Sequence, residues 1–549
     1  MTTSKKVWGM LYPWNKIPDD IRADLLFSST GWRNLLDMAV RVFASAEKSL
    51  ENRAFLLDLG SGLLRSAWEE QPLQPNLCQQ LAFVDKAFAF LDPSARGILE
   101  TIRTSTQSPE SADAAPEGAD HAKRLAGIPR DMIRDNLYWL NAGMEAALGC
   151  GRFAWIERNV GDHPLLPEAA KAGLLADCAF LQGNFSAAAA LYAQACAVLP
   201  QGVWRERHGH ALHKTGRTEQ ALNIWEAELE KRPWHWQLWL VRDNVLRGLD
   251  RPGAFPQGPG VILLYTWNGG DKIDRTLGAL SEARFPDDAR ILVLNNGSDD
   301  GQTPGILAKW EQHFQERLRG LRLPCNIGAP AARNWLLTEQ ETRASEWLAF
   351  LDDDLLVPPD WLGHFGTIMR AMPDHGVYGC AVLRHDSPWL FQGVDIHLRP
   401  PSRSVKKGNF GDAEHLQSVS RAEDEADFGQ YGYSRPCVHV CGCCHIFRRE
   451  RLDQAGMFDV RFSPSQVDDF EHDVRMFSGG DAPCCHGSLK VRHMYTYTSG
   501  MAAEKNLPKA VNAYANHLKM QSLYPRPQFD VLYTRNQEML LRDIIRRQR

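Results

Sequence analysis

The sequence of 549 residues lacks any uninterrupted apolar run near the ~18 residues needed to span a membrane. It also lacks an excess of basic residues: the net charge is −5, which provides no polybasic surface for nucleic acid. Two early lysines are not followed by the apolar segment of a secretory signal. We therefore expect a cytoplasmic protein with no transmembrane segment and no nucleic-acid partner. Peripheral contact with the inner face of the membrane, through a partner or an acceptor lipid, stays open.

The cysteines show no pattern typical of disulfides or of zinc. Two pairs among the 12 cysteines are adjacent, Cys443 with Cys444 and Cys484 with Cys485, and adjacent cysteines make poor disulfide frameworks. The spacings also do not provide the two separated C-x-x-C motifs of a structural zinc site. We expect free thiols that pack as small apolar side chains.

Length and local composition predict several domains. One hydrophobic core does not support 549 residues. Residues 105–120 are rich in Ser, Pro, Ala and acids, as linkers are, and residues 251–260 contain three prolines and three glycines. The predicted segments are a helical N-terminal region at 1–104, a flexible linker at 105–125, helical repeats at 126–250, a linker at 251–260, an α/β domain at 261–500 and a helical extension at 501–549.

Two neighbouring segments repeat with a period of 33 residues. Gly183 and Gly216 lie 33 residues apart, as do Pro200 and Pro233. Glycine ends a first helix, small residues let paired helices approach, and proline follows the second helix. The pattern resembles tetratricopeptide repeats, which implies an all-α helical-repeat region. The repeats are either a helical array without a ligand of its own or a groove for a protein partner.

The sequence pattern changes after residue 260. Short apolar segments at 261–267, 291–294 and 347–351 alternate with amphipathic segments. This alternation predicts an α/β domain with a mostly parallel sheet. Sheets of this kind bind their ligands at the carboxyl ends of the strands.

Three consecutive acids, Asp352, Asp353 and Asp354, directly follow the apolar segment at 347–351. Neighbouring carboxylates at a strand end repel one another unless a cation lies between them. Asp352 and Asp354 can address one divalent ion, and an all-oxygen ligand set suits Mg²⁺ or Mn²⁺. The alternative is that the acids cap the next helix.

The acidic segment at 347–362 is one of five that stand in a fixed order. The others are 261–268, then 291–301 (ILVLNNGSDDG), 326–334 (NIGAPAARN) and 441–459, which contains RRE and GMFD. This series resembles the family 2 glycosyltransferases of the GT-A fold. The resemblance spans about 261–495 and implies a Rossmann-like α/β domain that binds a nucleotide-sugar donor.

The resemblance also implies roles for individual residues. It implies donor binding by Thr266, Asn268, Asn296, Asp299, Arg333, Asp352 and Asp353, and a metal site for Mn²⁺ or Mg²⁺ made by Asp352, Asp354 and His493. A lone histidine is often structural, and that reading of His493 stays open.

The segment at 467–475 (VDDFEHDVR) follows in the place of the family's E-D-x-D motif. The acids here read D-D-x-E, and the resemblance makes Asp469 the general base, with Asp468 beside it. The alternative is a solvated acidic helix face.

These features together predict an inverting, metal-assisted glycosyltransferase that moves a hexosyl or related group to a hydroxyl of a glycan, a lipid-linked or a protein acceptor. The insertion at 385–436 is expected to form acceptor-side loops. One alternative function is a repeat scaffold with an inactive transferase domain. The other is a sugar nucleotidyltransferase, which the lack of a glycine-rich basic loop after the first strand disfavours.

Overall fold

The computed structural model describes residues 12–27, 31–106, 121–400, 415–420, 422–494 and 507–548. Most of the predicted linker at 105–125 and part of the insertion at 385–436 therefore lie outside the described residues. The chain divides into two compact units. The helical unit comprises 1–242, 425–430 and 548–549, and the sheet unit comprises 243–424 and 431–547.

The described part of the helical unit contains helices and no strands, as predicted for the N-terminal half. Its helices are α1 (Asp19–Phe27), α2 (Trp32–Lys48), α3 (Arg53–Glu70), α4 (Pro75–Phe88), α5 (Pro93–Ser105), α6 (His121–Ala126), α7 (Arg130–Ile133), α8 (Leu137–Gly149), α9 (Phe153–Gly161), α10 (Glu168–Leu181), α11 (Phe185–Val198), α12 (Val203–Lys214), α13 (Thr218–Lys231) and the start of α14 (Trp236–Leu246).

Glycines that face tryptophan rings bring the helices of this unit close together. A Cβ built on Gly209 of α12 would lie 2.3 Å from Nε1 of Trp225, which is fully buried on α13. A Cβ on Gly173 of α10 would meet the ring of Trp204 of α12 at the same distance. These glycines thus leave the space that the large aromatic side chains of neighbouring helices occupy.

A buried arginine connects α12 to the rest of the helical unit. The guanidinium of Arg207 donates to Asp177 of α10 at 2.8 Å and to Glu70 of α3. The ring of Phe428 covers it at 3.6 Å, within the range of a cation–π contact. Six residues of the predicted insertion, 425–430, therefore belong to the helical unit.

The sheet unit is built on one large mixed sheet with helices on its faces. Its strands are β1 (Gly260–Thr266), β2 (Arg290–Asn295), β3 (Leu318–Arg322), β4 (Trp347–Asp352), β5 (Leu355–Leu356), β6 (Val377–Arg384), β7 (Phe391–Gly393), β8 (His397–Arg399), β9 (Gln417–Val419), β10 (Ser434–Pro436), β11 (Cys444–Arg448) and β12 (Cys484–His493). Its helices are α15 (Gly270–Glu282), α16 (Thr303–Phe314), α17 (Ala329–Thr338), α18 (Gln340–Arg343), α19 (Trp361–Ala371), α20 (Arg449–Ala455), α21 (Asp468–Gly479), α22 (Leu507–Leu523) and α23 (Arg526–Arg547).

The strand order of the large sheet is β10-β12-β6-β11-β4-β1-β2-β3. Strands β4, β1, β2 and β3 are parallel neighbours, as the alternating pattern predicts. The other half mixes directions, because β11 runs antiparallel to both β4 and β6 while β12 runs parallel to β6. Short β8 and β9, from the insertion, pair separately.

The parallel half positions the predicted site. Residues 261–264 of β1 and 347–351 of β4 are buried, as strands covered on both faces are. In the parallel register, Thr266 of β1 pairs with Asn295 of β2, and Tyr265 of β1 pairs with Asp352 of β4. The carboxyl ends of β1, β2 and β4 therefore meet at one edge of the sheet. No helix in the described ranges combines the length and apolar character needed to cross a membrane.

We predict that Gly209→Ala destabilises the protein by about 1–3 kcal/mol, because its methyl group would overlap the buried ring of Trp225. The change in unfolding free energy can be measured by urea denaturation followed by circular dichroism. The matched control is Gly97→Ala within α5, where a Cβ meets no atom within 4 Å. That change should stabilise the helix by ~0.5–1 kcal/mol. Equal stability of the Gly209 variant and the wild type would contradict this packing.

Candidate metal and donor site

Two carboxylates and one imidazole converge at the edge of the sheet. Asp352 ends β4, Asp354 lies in the turn to β5, and His493 ends β12, which pairs with β5 at Leu355. One ligand atom from each lies within 4.8 Å of the others. The sequence separates His493 from the acids by more than a hundred residues, and the sheet unites them.

Hydrogen bonds determine the orientation of His493. Its Nδ1 lies 3.0 Å from Oε1 of Gln392, and its Nε2 lies 2.8 Å from Oδ1 of Asp354. Burial alone would lower the pKa of His493, but the bond to Asp354 raises it. With Nδ1 turned to Gln392, Nε2 is the nitrogen that faces the carboxylate of Asp354, and a second-sphere partner on Nδ1 is common among metal-binding histidines.

The three consecutive acids each face a different partner. Burial, against the charge of Arg333, raises the pKa of Asp352 to about 6. Burial also raises the pKa of Asp353 to about 7, although Thr266 donates a hydrogen bond to it. Asp354 accepts a 2.8 Å hydrogen bond from Lys272. The three acids therefore differ: burial dominates the pKa of Asp352 and of Asp353, whereas His493 and Lys272 lower the pKa of Asp354 against the effect of burial.

Polar side chains at the ends of β1 and β2, which the sequence predicts to bind the donor, are held by hydrogen bonds. The Nδ2 of Asn268 donates to Asp299 at 2.6 Å, and the N–H of Asp299 donates back to Oδ1 of Asn268 at 2.9 Å. Asn296 donates to Asn326 at 3.0 Å and accepts from the N–H of Ile327 at 3.1 Å. The structure therefore brings together Asn268, Asn296 and Asp299, which come from two separate segments.

Arg333 joins the two acidic segments of the site. It lies on α17, is buried, and contacts Oδ1 of Asp352 at 3.6 Å and the carboxylate of Asp468. The first contact reaches the end of β4 and the second reaches the start of α21. A buried guanidinium paired with two carboxylates holds both elements in place.

Asp469 is held at the amino end of α21, where the helix dipole favours negative charge. The N–H of Gly442 donates to its Oδ2 at 3.0 Å, and the N–H of Phe470 donates to its Oδ1 at 2.9 Å. A Cβ on Gly442 would lie 2.2 Å from that Oδ2, so only glycine permits this bond. The carbonyl oxygen of Cys443 also accepts from the N–H of Asp352 at 3.0 Å, so the loop that binds Asp469 also binds the end of β4.

Four polar residues of the site were not predicted from the sequence: Lys272, Gln392, His439 and Asp473. Lys272 lies six residues after the end of β1, and this position in the sequence could have indicated that it lies near the strand ends. Gln392 and His439 come from or near the insertion, where no motif marks them. Asp473 lies four residues after Asp469 on one helix, and that spacing places both on the same face.

Residues 261–456 match the sequence model of the family described as glycosyl transferase family 2. This part of the chain is a glycosyl transferase family 2 domain. A relative, the O-antigen biosynthesis protein RfbC of Myxococcus xanthus, is 26% identical over 239 residues, which cover 43% of this chain. The matched region is 17% of the relative's length, so this chain spans only a small part of that protein.

Among solved structures, this chain is similar to several glycosyltransferases, including the following two. The mannosyltransferase PcManGT from Pyrobaculum calidifontis, in complex with GDP-Man and Mn²⁺, is 15% identical with a TM-score of 0.35; the match covers 59% of this chain and 85% of that one. GalNAc-T7 with UDP, GalNAc and Mn²⁺ is 13% identical with a TM-score of 0.34, over 46% of this chain and 50% of that one.

We predict that Asp354→Asn and His493→Ala each weaken Mn²⁺ binding tenfold or more, because the first removes the negative charge of one ligand and the second removes a ligand nitrogen from a three-residue group. Isothermal titration of the whole protein with Mn²⁺ measures the affinity. Asp360→Asn is the matched control, since Asp360 precedes α19 without making a side-chain cap. Wild-type affinity in both site variants would exclude this group as the metal site of the family 2 domain.

Proposed function

We propose that this protein is a metal-assisted, inverting glycosyltransferase that takes its sugar from a nucleoside-diphosphate donor. The observation that carries the proposal is that the group of Asp352, Asp354 and His493 is linked to the start of α21, where Asp468 and Asp469 lie. Arg333 contacts both Asp352 and Asp468, and the backbone of residues 442–443 binds both Asp469 and Asp352. Membership of family 2 supports the reaction class. Fold likeness by itself would not.

The residues of the metal group fit Mn²⁺ or Mg²⁺. Two carboxylate oxygens and one imidazole nitrogen suit such ions. Burial and the neighbouring carboxylate of Asp354 raise the pKa of Asp352 and of Asp353, and a cation would favour their ionised forms. A bound ion would neutralise the negative charge that develops on the leaving diphosphate. Lys272 supplies a further positive charge at the same point.

The donor's nucleoside is assigned to the strand ends that carry Thr266, Asn268, Asn296 and Asp299. These side chains offer both hydrogen-bond donors and acceptors, as recognition of a base and a ribose requires. Their mutual bonds, such as the pair between Asn268 and Asp299, orient them before a ligand arrives. A preorganised wall of this kind reduces the entropy lost on binding.

Asp469 is assigned as the general base that takes the proton from the acceptor hydroxyl. Asp468 is paired with the buried guanidinium of Arg333, whereas the Asp469 side chain is 23% exposed. One available carboxylate favours a single displacement, in which the acceptor oxygen attacks the anomeric carbon as the proton moves to Asp469. This step inverts the configuration of the sugar.

The relative from Myxococcus xanthus is named for O-antigen biosynthesis, and this favours a glycan or lipid-linked glycan acceptor over a protein for the present chain. The assignment of donor sugar follows from experiment. The first experiment is a thermal-shift comparison of UDP, GDP, dTDP and CMP, each with and without Mn²⁺. A ligand that binds the native state raises the melting temperature of the protein, so the nucleotide that raises it identifies the donor class.

We predict that Asp469→Asn lowers nucleotide release from the preferred donor by 10²–10⁴-fold, the contribution typical of a general base. The variant should retain the Mn²⁺-dependent thermal shift, because Asp469 is not one of the three grouped ligands. Asp360→Asn again serves as the control. Activity of Asp469→Asn within threefold of wild type would reject this base, and absence of any nucleotide-dependent shift in folded wild type would reject the transferase.

A further inference from the structure

A histidine outside the predicted motifs lies against the face of α21 that carries the proposed base. His439 belongs to the loop between β10 and β11, and its backbone pairs with Ile396 of the insertion. Its Nδ1 is 2.8 Å from Oδ2 of Asp473, and its Nε2 is 3.9 Å from Oδ2 of Asp469. The imidazole thus lies between two carboxylates that are one helical turn apart.

Hydrogen bonds and packing hold His439 and Asp473 in a buried position. Asp473 is fully buried, and the same oxygen that meets His439 accepts from the N–H of Val440 at 3.0 Å. The ring of Phe470 packs edge-on against His439 at 5.3 Å. Because Asp473 holds the Nδ1 side, the Nε2 edge is directed at Asp469.

We propose that His439, held by Asp473, is a positioning residue that carries a positive charge and keeps Asp469 ionised for proton abstraction. The inference rests on the proposed function only in the step that Asp469 performs. At 3.9 Å the distance exceeds a hydrogen bond, so the effect of His439 on Asp469 is electrostatic. His439 does not touch the acceptor in this scheme.

The charges around the pair agree with this role. Burial would lower the pKa of His439, but Asp473 and Asp469 of α21, together with Cys441 of its own loop, raise it. Burial would raise the pKa of Asp469, but His439 and Arg333 of α17 lower it. His445 of β11 lies near the same carboxylate, and burial lowers its pKa well below the ordinary value, so it stays neutral.

The removal of this charge should shift the pH dependence of the reaction. A base works only when deprotonated, so activity falls as the pH drops below the pKa of Asp469. A positive charge 3.9 Å from a carboxylate favours its ionised form and so lowers its pKa. Loss of the positive charge raises the pKa of Asp469 and moves the acid limb of the rate profile to higher pH.

The experiment compares pH profiles of nucleotide release for wild type, His439→Gln, Asp473→Asn and the double variant. We expect the acid limb of each variant to move up by about one pH unit or more, with rates at pH 9 within about threefold of wild type. The double variant should shift no further than either single variant. A uniform loss at all pH values would show a merely structural role and overturn the proposal.

The matched control is His472→Gln. His472 lies on the same helix but donates to Gly456 O at 2.9 Å, and burial lowers its pKa to about 3, so its replacement removes no charge. Its acid limb should coincide with that of wild type. A shift as large as that of His439→Gln would attribute the effect to local packing.

A second measurement does not depend on catalysis. NMR of the ¹³C-histidine-labelled protein, with His439→Gln for assignment, reports the protonation of His439 directly. We expect a pKa above 6.5 that falls in Asp473→Asn. A value below 6 overturns the proposal even if the enzyme is active, whereas a raised value in a protein without nucleotide release rejects the proposed function and leaves this charged pair standing.

Discussion

Repulsion among three consecutive carboxylates at the end of β4 is the constraint on which the site depends. Each acid is turned to a separate partner: Asp352 to Arg333, Asp353 to Thr266, and Asp354 to His493 and Lys272. These partners come from distant parts of the chain. The fold of the sheet unit therefore places hydrogen-bond donors and positively charged side chains at a single strand end.

Pairing of carboxylates with specific partners also extends to the proposed base, Asp469. Arg333 pairs with Asp468, whereas the side chain of Asp469, the proposed base, stays partly exposed. Gly442 brings the backbone of the neighbouring loop to Asp469, and the next residue binds the backbone of Asp352. The proposed metal group and the proposed base are thus linked by covalent and hydrogen-bonded connections over a few residues, which limits their relative movement.

The helical unit obeys a different constraint, the close packing of large rings on glycine. Trp225 and Trp204 occupy space that any side chain on Gly209 or Gly173 would fill. The unit also includes residues 425–430, whose Phe428 covers Arg207. The chain leaves the sheet unit and returns to it within this segment, so the insertion contributes to both units.

The sequence alone determined the class of each half and the elements that carry chemistry. Periodicity predicted helices before residue 250 and parallel strands after 260, because burial on one face or on both leaves a local pattern. Local motifs likewise placed Asp352, Asp354 and Asp469 at the ends of elements. Only the tertiary structure decided the rest: the antiparallel half of the sheet, the partners Gln392 and Lys272, and the contact of His439 with Asp473 and Asp469. These depend on contacts between residues far apart in the chain, where register and loop path, rather than local preference, determine which side chains meet.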